Sequence, residues 1–160
     1  MTSIVALDTG VLGLLTHPKG SPESQRCVSW FITLASNGVV FVLPEIADYE
    51  LRREALLTQR TLVVRRLDAL KALTRYEPIT TVAMLEAARL WAWTRSRGQP
   101  TADPKALDGD VILAAQVAQL VPLAENAENI VIATTNVKHL ALFGNAKLWQ
   151  DVMFPGERAE

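Results

Sequence analysis

Acidic and amide side chains recur at positions where predicted strands end or predicted helices begin. Asp8 directly follows a short apolar run, and Glu50 follows a second one. Asp108 and Asp110 are predicted to open a later helix, and Asn136 follows a third apolar strand. Because open α/β sheets bind ligands outside the carboxyl ends of their strands, we expect these side chains to converge on one cleft.

Clustered carboxylates indicate a particular chemistry. Mg²⁺ and Mn²⁺ prefer oxygen ligands and retain several waters, and they can activate a water and stabilise developing negative charge. Without a cation, three or more neighbouring carboxylates repel one another and some take up protons. The pattern therefore predicts a site for Mg²⁺ or Mn²⁺ that suits phosphodiester hydrolysis.

Each of these residues also has a purely structural explanation. Asp8 precedes a short helix and can cap it, while Glu50 alone is typical of a surface helix acid. Asp108 and Asp110, in a first helical turn, would be favoured by the helix dipole, and Asn136 can serve as a turn residue. The prediction of a shared site depends on the recurrence of these residues at similar places.

Short β-branched runs alternate with segments of helical periodicity along the whole chain. Strands are predicted at 3–8, 39–43, 76–79, 129–134 and 147–153, and helices at 10–15, 22–36, 45–58, 60–73, 81–96, 109–121 and 137–142. This order predicts a three-layer α/β/α sandwich with a mainly parallel central sheet. Pro78 places the third strand towards a sheet edge.

The chain has neither an internal repeat nor a linker, so residues 1–155 are predicted to form one domain, with a frayed tail at 156–160. Residues 97–104 form the one clear predicted loop, directly before an acidic pair, which suits a functional loop.

Composition narrows the class of protein. The 160 residues include one cysteine, Cys27, so an intrachain disulfide is excluded and a reducing compartment is expected. We see no secretory signal and no run of membrane-spanning length, and we therefore expect a cytoplasmic protein without a membrane partner. Seven of the basic residues fall within 52–75. They are expected to form either a basic rim around an acidic centre or one solvated helix face.

Several other kinds of site lack support. His17 and His139 are far apart and have no neighbouring cysteine or second histidine, which disfavours a zinc site. The chain contains no glycine-rich phosphate loop and no nucleophile elbow. The tryptophans are predicted to be core or interface residues, because Trp91 falls on the inward face of its helix.

Four segments combine these residues in a recognisable order: Val5-Ala6-Leu7-Asp8-Thr9, Leu43-Pro44 followed by Glu50-Leu51, Leu107-Asp108-Gly109-Asp110-Val111-Ile112-Leu113-Ala114-Ala115, and Ile132-Ala133-Thr134-Thr135-Asn136. Together they resemble PIN domains, and are especially similar to the VapC-type toxins of bacterial toxin–antitoxin pairs. The resemblance runs from about residue 3 to about 142, and the segment that begins at Asp110 is its most specific part.

The resemblance implies a PIN-like sheet covered by helices on both faces and an Mg²⁺- or Mn²⁺-dependent ribonuclease. By position, Asp8, Glu50 and Asp110 match the three main acids of the family, which bind metal and carry catalysis. Asp108 matches an auxiliary acid. Asn136 falls where the family usually has a fourth acid, and its amide oxygen can still hold a metal-bound water without adding charge.

Further expectations follow from the resemblance. Thr9 and Thr135 are expected to donate hydroxyl hydrogen bonds to water or phosphate, and Arg53 is a candidate for holding the RNA backbone. Family members commonly form homodimers and bind a small antitoxin that blocks the acidic cleft. The leading hypothesis is thus an endoribonuclease, the toxin of a type II toxin–antitoxin pair.

Two alternatives remain open. Asn136 motivates the first, a catalytically impaired PIN-fold module that binds RNA or protein. The second is a flavodoxin-like domain that uses its acids as a phosphoacceptor pocket. It resembles receiver domains by fold class only, and Lys138 does not follow the pattern of lysine that such a pocket needs.

Overall fold

The computed structural model describes residues 2–98 and 104–154, with the side chains of residues 104 and 105 excepted. Its sheet contains five strands: β1 (Ile4–Leu7), β2 (Val40–Pro44), β3 (Arg75–Glu77), β4 (Ile130–Thr134) and β5 (Ala146–Leu148). All neighbouring strands are parallel, in the order β3-β2-β1-β4-β5. Val5 on the central strand pairs with Phe41 on one side and Val131 on the other.

Helices connect these strands. They are α1 (Thr9–Leu15), α2 (Pro22–Ser36), α3 (Glu45–Leu57), α4 (Thr61–Leu73), α5 (Thr81–Ser96), α6 (Pro104–Ala118) and α7 (Val121–Ala124), with 3₁₀ turns at Ala127–Asn129, Leu140–Leu142 and Trp149–Asp151. Ser21 and Thr80 cap α2 and α5 by accepting hydrogen bonds from backbone N–H groups of the first turn.

Alternating side chains of the strands build two separate cores. On one face, residues such as Val5 and Leu43 pack with buried side chains of α1, α2, α3 and α4. On the other face, residues such as Ile4 and Ile132 pack against α6, α7 and the 3₁₀ turn at Leu140–Leu142. Helix α5 lies outside this layer and packs on α6. The predicted three-layer α/β/α sandwich is confirmed.

Strand β1 lies at the point where the strand order reverses, because β2 follows on one side and β4 on the other. In open parallel sheets the crevice at this point, beyond the carboxyl ends of the strands, is where ligands bind. Leu7 ends β1 next to Ala133 of β4, so Asp8 and Thr134 leave the sheet as neighbours.

The two edges of the sheet are short. β3 and β5 each contain three residues, and charged side chains occupy both of them, namely Arg75, Glu77 and Lys147. The predicted edge position of the third strand is confirmed.

The largest difference from the sequence prediction concerns α6. This helix begins at Pro104 and not at residue 109, so the expectation that Asp108 and Asp110 open it is wrong. Proline fits the first turn of a helix because its missing N–H needs no partner there. Both acids therefore lie beyond the first turn, where the argument from the helix dipole does not apply.

Smaller differences concern the end of the chain. A 3₁₀ turn at Leu140–Leu142 replaces the helix expected at 137–142, and the last strand ends at Leu148 and not at 153. Most of the predicted loop at 97–104 and the tail at 156–160 lie outside the described residues. In the described part of the chain, none of the helices is both long and apolar enough to cross a bilayer.

Candidate functional site

Asp8 is held rigidly at the carboxyl end of β1. Its Oδ1 accepts a hydrogen bond from the backbone N–H of Thr9 at 2.8 Å, so it caps α1, and its Oδ2 accepts one from Thr134 Oγ1 at 2.7 Å. Burial nevertheless raises the pKa of Asp8, although both hydrogen bonds act in the opposite direction. Capping and a role in a ligand site are thus compatible for this residue.

Glu50 approaches Asp8 from α3. Its Oε1 accepts a hydrogen bond from Thr9 Oγ1 at 3.0 Å, a contact between residues 41 positions apart. Burial raises the pKa of Glu50 and the charge of Asp8 raises it further, while Thr9 and Arg53 lower it. The explanation of Glu50 as an ordinary surface acid is therefore wrong, because it is part-buried and its carboxylate faces β1 and α1.

Asp110 completes the group from α6. Burial, followed by repulsion from Asp8 and Glu50, raises its pKa from the ordinary 3.8 to about 7. We call Asp8, Glu50 and Asp110 the acid triad. Its members come from three elements that are distant in sequence. The charge of Asp8 acts on Glu50, and the charges of both act on Asp110.

Two glycines allow the chain to pack this closely around the triad. A Cβ added at Gly109 would lie 2.9 Å from Glu50 Oε2, and one added at Gly10 would lie 2.2 Å from Thr135 Oγ1. Gly109 therefore lets the carboxylate of Glu50 rest against α6. Glycine costs about 1 kcal/mol in a helix interior, so its presence there was a sequence signal for close approach.

A buried glutamine joins the helices that carry two of the acids. Gln116 of α6 is fully buried, and its Oε1 accepts a hydrogen bond from the backbone N–H of Ile46 at 3.2 Å. Its Nε2 donates to the carbonyl oxygen of Glu77 at 2.7 Å. Both ends of the amide are satisfied, so Gln116 fixes α6 to the first turn of α3 and to the end of β3.

Asp108 lies apart from the triad. It is exposed and lines a groove between α5 and α6 together with Met84, Trp91 and Val111. Side chains two positions apart on a helix do not share a face, so Asp108 and Asp110 point to different sides of α6.

The segment after β4 differs from the expectation in its details. The hydroxyl that contacts Asp8 belongs to the fully buried Thr134, which was not among the predicted site residues. Thr135 is exposed and lies against Gly10. Asn136 is exposed as well, and its Oδ1 accepts a hydrogen bond from the backbone N–H of Lys138 at 3.2 Å, as expected of a turn residue.

Arg53 supplies positive charge at the rim of the site. It is exposed, its guanidinium carbon lies 5.0 Å from the centroid of the Tyr49 ring, and its charge lowers the pKa of Glu50. A cation beside the triad is suitably placed to contact a phosphate of a bound nucleic acid.

The donor set of the triad suits a hard divalent cation, because it consists of carboxylate oxygens whose mutual repulsion a bound cation would relieve. Among residues 2–98 and 104–154, however, no three His, Cys, Asp or Glu side chains are already arranged closely enough to hold a metal ion. The three acids are thus coupled electrostatically. Their carboxylate oxygens suit Mg²⁺ or Mn²⁺, but the side chains would have to move closer together to hold the ion.

No family model matches the chain, and no curated protein matches it. Solved structures do. The chain is similar to a chain of VapBC2 from Rickettsia felis bound to a DNA fragment from the promoter, with 14% identity, a TM-score of 0.65 and coverage of 91% of this chain and 98% of that one.

Two further structures give the same result. FitAcB from Neisseria gonorrhoeae matches with 18% identity, a TM-score of 0.67 and coverage of 92% and 99%. VapBC-1 from nontypeable Haemophilus influenzae matches with 18% identity, a TM-score of 0.64 and the same coverage. At these identities the likeness concerns the fold, and it confirms the VapC-like PIN fold that the sequence resemblance predicted.

Proposed function

We propose that this protein is a divalent-metal-dependent endoribonuclease that hydrolyses RNA phosphodiester bonds. The observation that carries the proposal is the acid triad. Asp8, Glu50 and Asp110 come from β1, α3 and α6 and lie at the switch point of the sheet, where the charge of Asp8 raises the pKa of Glu50, and the charges of both raise the pKa of Asp110. Buried carboxylates that repel one another are costly unless they bind a cation or a proton.

Each residue then has a role. Asp8, Glu50 and Asp110 would hold Mg²⁺ or Mn²⁺, and the bound ion would supply activation of a water and neutralisation of charge on the phosphate. Thr134 and Thr9 orient the carboxylates of Asp8 and Glu50 through their hydroxyl groups. Thr9, Thr135 and Arg53 remain the candidate contacts to the RNA backbone, Thr135 and Arg53 because they are exposed beside the triad.

Cleavage of a labelled single-stranded RNA by the purified protein tests this proposal. We expect cleavage with Mn²⁺ or Mg²⁺ and none with EDTA. Asp8→Asn and Asp110→Asn should lower the rate by about a hundredfold or more, because each removes a ligand charge. Asparagine also caps helices, so Asp8→Asn should keep α1 intact.

Glu128→Gln serves as a matched control. Glu128 is an exposed acid in the 3₁₀ turn before β4 and is far from the triad in sequence. Its rate should equal that of the wild type. Cleavage that persists in EDTA, or in both triad variants, would refute the proposal.

We also propose that the protein is the toxin of a toxin–antitoxin pair, with a small antitoxin as partner and a homodimer as its assembly. The sequence resemblance and the shared fold with VapBC structures support this. Induced expression should arrest growth, Asp8→Asn should abolish the arrest, and co-expression of a neighbouring small reading frame should relieve it. Light scattering on the purified protein should give the mass of a dimer.

A second candidate is a PIN-fold module that binds RNA or protein without cleaving. It is favoured by Asn136, whose side-chain oxygen is already bonded to Lys138 and which stands where an acid is expected. Calorimetric titration with Mn²⁺ separates the two candidates. Binding that is lost in Asp8→Asn supports the enzyme, and absence of binding at millimolar Mn²⁺ supports the module.

A further inference from the structure

A second polar pocket lies on the other side of α3 from the acid triad. It has a volume of about 350 Å³ and opens between α3, α4 and the edge strand β3. Two tyrosine rings, two cationic side chains and three carboxylates line it, among them Tyr49, Arg52, Asp68, Lys71 and Tyr76. Pockets of this size are large enough for a small ligand, and mixed aromatic and charged walls favour a flat polar one.

The pocket is connected to the triad along the surface of α3. Asp48, Tyr49 and Arg52 line it, and Glu50, the next residue after Tyr49, belongs to the triad. Arg53 lies between the two sites, because its guanidinium group stacks over the Tyr49 ring and its charge acts on Glu50. A nucleic acid that runs along α3 from the triad to this pocket would pass Arg53.

Arg52 and Asp68 form a hydrogen-bond donor and acceptor pair in the wall of the pocket. Arg52 Nε donates to Asp48 Oδ1 at 2.7 Å, and Arg52 Nη2 donates to Asp68 Oδ1 at 2.8 Å. These bonds fix the guanidinium plane, while Arg52 Nη1 and Asp68 Oδ2 have no hydrogen bond to the described residues. The side chain of Asp68 is 60% exposed, so its second oxygen is open to a ligand.

The tyrosines offer flat surfaces beside this pair. Tyr49 is 54% exposed, and its ring lies under the guanidinium group of Arg53. Lys71 Nζ lies 4.0 Å from the centroid of the Tyr76 ring. Bases of single-stranded nucleic acid stack on aromatic rings and on arginine planes, and this stacking alone is tolerant of sequence.

We propose that this pocket binds a guanine base of the RNA substrate and thereby determines where the chain is cut. Guanine presents two adjacent N–H donors on its Watson–Crick edge, which suit the Asp68 carboxylate, and O6 and N7 acceptors, which suit Arg52. Adenine and cytosine place an acceptor next to their amino group, which a carboxylate repels. The inference rests on the proposed ribonuclease function.

Titration of the full-length protein with guanosine monophosphate, followed by NMR, tests the pocket independently of cleavage. We expect guanosine monophosphate to bind about tenfold more tightly than the adenosine, cytidine and uridine monophosphates, as one bidentate contact implies. Asp68→Asn should remove this preference, since the amide offers one acceptor in place of two, and Glu128→Gln should preserve it. Equal binding of the four nucleotides by the wild type would overturn the proposal.

Mapping of the ends produced from a random-sequence RNA provides the second measurement. The wild type should cut at a fixed distance from a guanine, and in Asp68→Asn the cut positions should no longer depend on guanine. Tyr49→Ala should weaken cleavage, whereas Tyr49→Phe should retain it, because phenylalanine keeps the stacking surface.

The two proposals fail in different ways. Efficient cleavage without a guanine preference, or with a preference unchanged in Asp68→Asn, overturns the pocket assignment and leaves the ribonuclease intact. Selective binding of guanosine monophosphate that depends on Asp68, without any cleavage of RNA, overturns the ribonuclease and supports the pocket.

Discussion

Replacing Asp110 with asparagine is expected to stabilise the metal-free protein while it abolishes cleavage. In the folded chain, burial and then the charges of Asp8 and Glu50 raise the pKa of Asp110 from 3.8 to about 7. Asparagine has nearly the same shape and carries no charge, so the repulsion within the triad falls. A residue that is selected for chemistry and not for stability should behave in this way.

The size of the effect follows from the pKa of Asp110. A change from 3.8 to about 7 corresponds to about 4 kcal/mol of unfavourable free energy for the ionised folded state, at 1.36 kcal/mol per pH unit. Solvent reaches this part-buried side chain and screens its charge, so we expect about 1–2 kcal/mol. This is a large share of the stability of a typical domain.

The sign can be checked against pH. The unfolded chain ionises Asp110 near 3.8 and the folded chain near 7, so folding takes up a proton between these values. Stability therefore falls as pH rises from about 4 to about 7 and is constant above that range. The advantage of Asp110→Asn should be small near pH 4 and complete at pH 8.

Urea unfolding in EDTA at pH 5 and pH 8 measures this difference. Asp108→Asn is the matched control, because Asp108 is exposed on another side of the same helix, and it should show no such gain. Added Mn²⁺ should stabilise the wild type and not Asp110→Asn. If Asp110→Asn is less stable than the wild type at pH 8 in EDTA, the three acids do not repel one another as described.

Two further substitutions test the groups that position the triad. Gly109→Ala should reduce cleavage by about tenfold or more, because the new Cβ displaces the carboxylate of Glu50. It should change the free energy of unfolding by less than about 1 kcal/mol, since alanine favours the helix. Thr134→Val should cost about 1–2 kcal/mol at pH 8, because the lost hydrogen bond favours ionised Asp8, and the cost should decrease as the pH falls through the raised pKa of Asp8. Cleavage rates and urea unfolding between pH 8 and acidic pH measure these effects, and a destabilisation by Thr134→Val that does not decrease towards acidic pH would contradict the assignment of this bond.

Local patterns predicted the strands and most helices because they depend on neighbouring residues. The apolar run at β1 and the Pro-Glu start of α2 are examples. The sequence predicts the start of α6 too late, because Pro104 is typical of a loop but is equally suited to a first helical turn. Correct placement of that start would also have shown that Asp108 and Asp110 cannot face one site.

Contacts that depend on strand order were not predictable in the same way. Thr134 contacts Asp8 because β4 lies beside β1, and the sequence alone does not state that these two strands are neighbours. The choice of Thr135 over Thr134 therefore had no basis in local pattern. The pocket beside Tyr49 was missed for a similar reason, since α3, α4 and β3 contribute to it together.

The short, charged edge strands restrict how this protein can assemble. Adding a strand from another molecule to β3 or β5 would form few backbone hydrogen bonds and would set that strand beside Arg75, Glu77 or Lys147. A second copy of the chain, or an inhibitor, should therefore bind helical surfaces through side chains. The specificity of this binding can diverge between paralogues without any change to the backbone of the sheet.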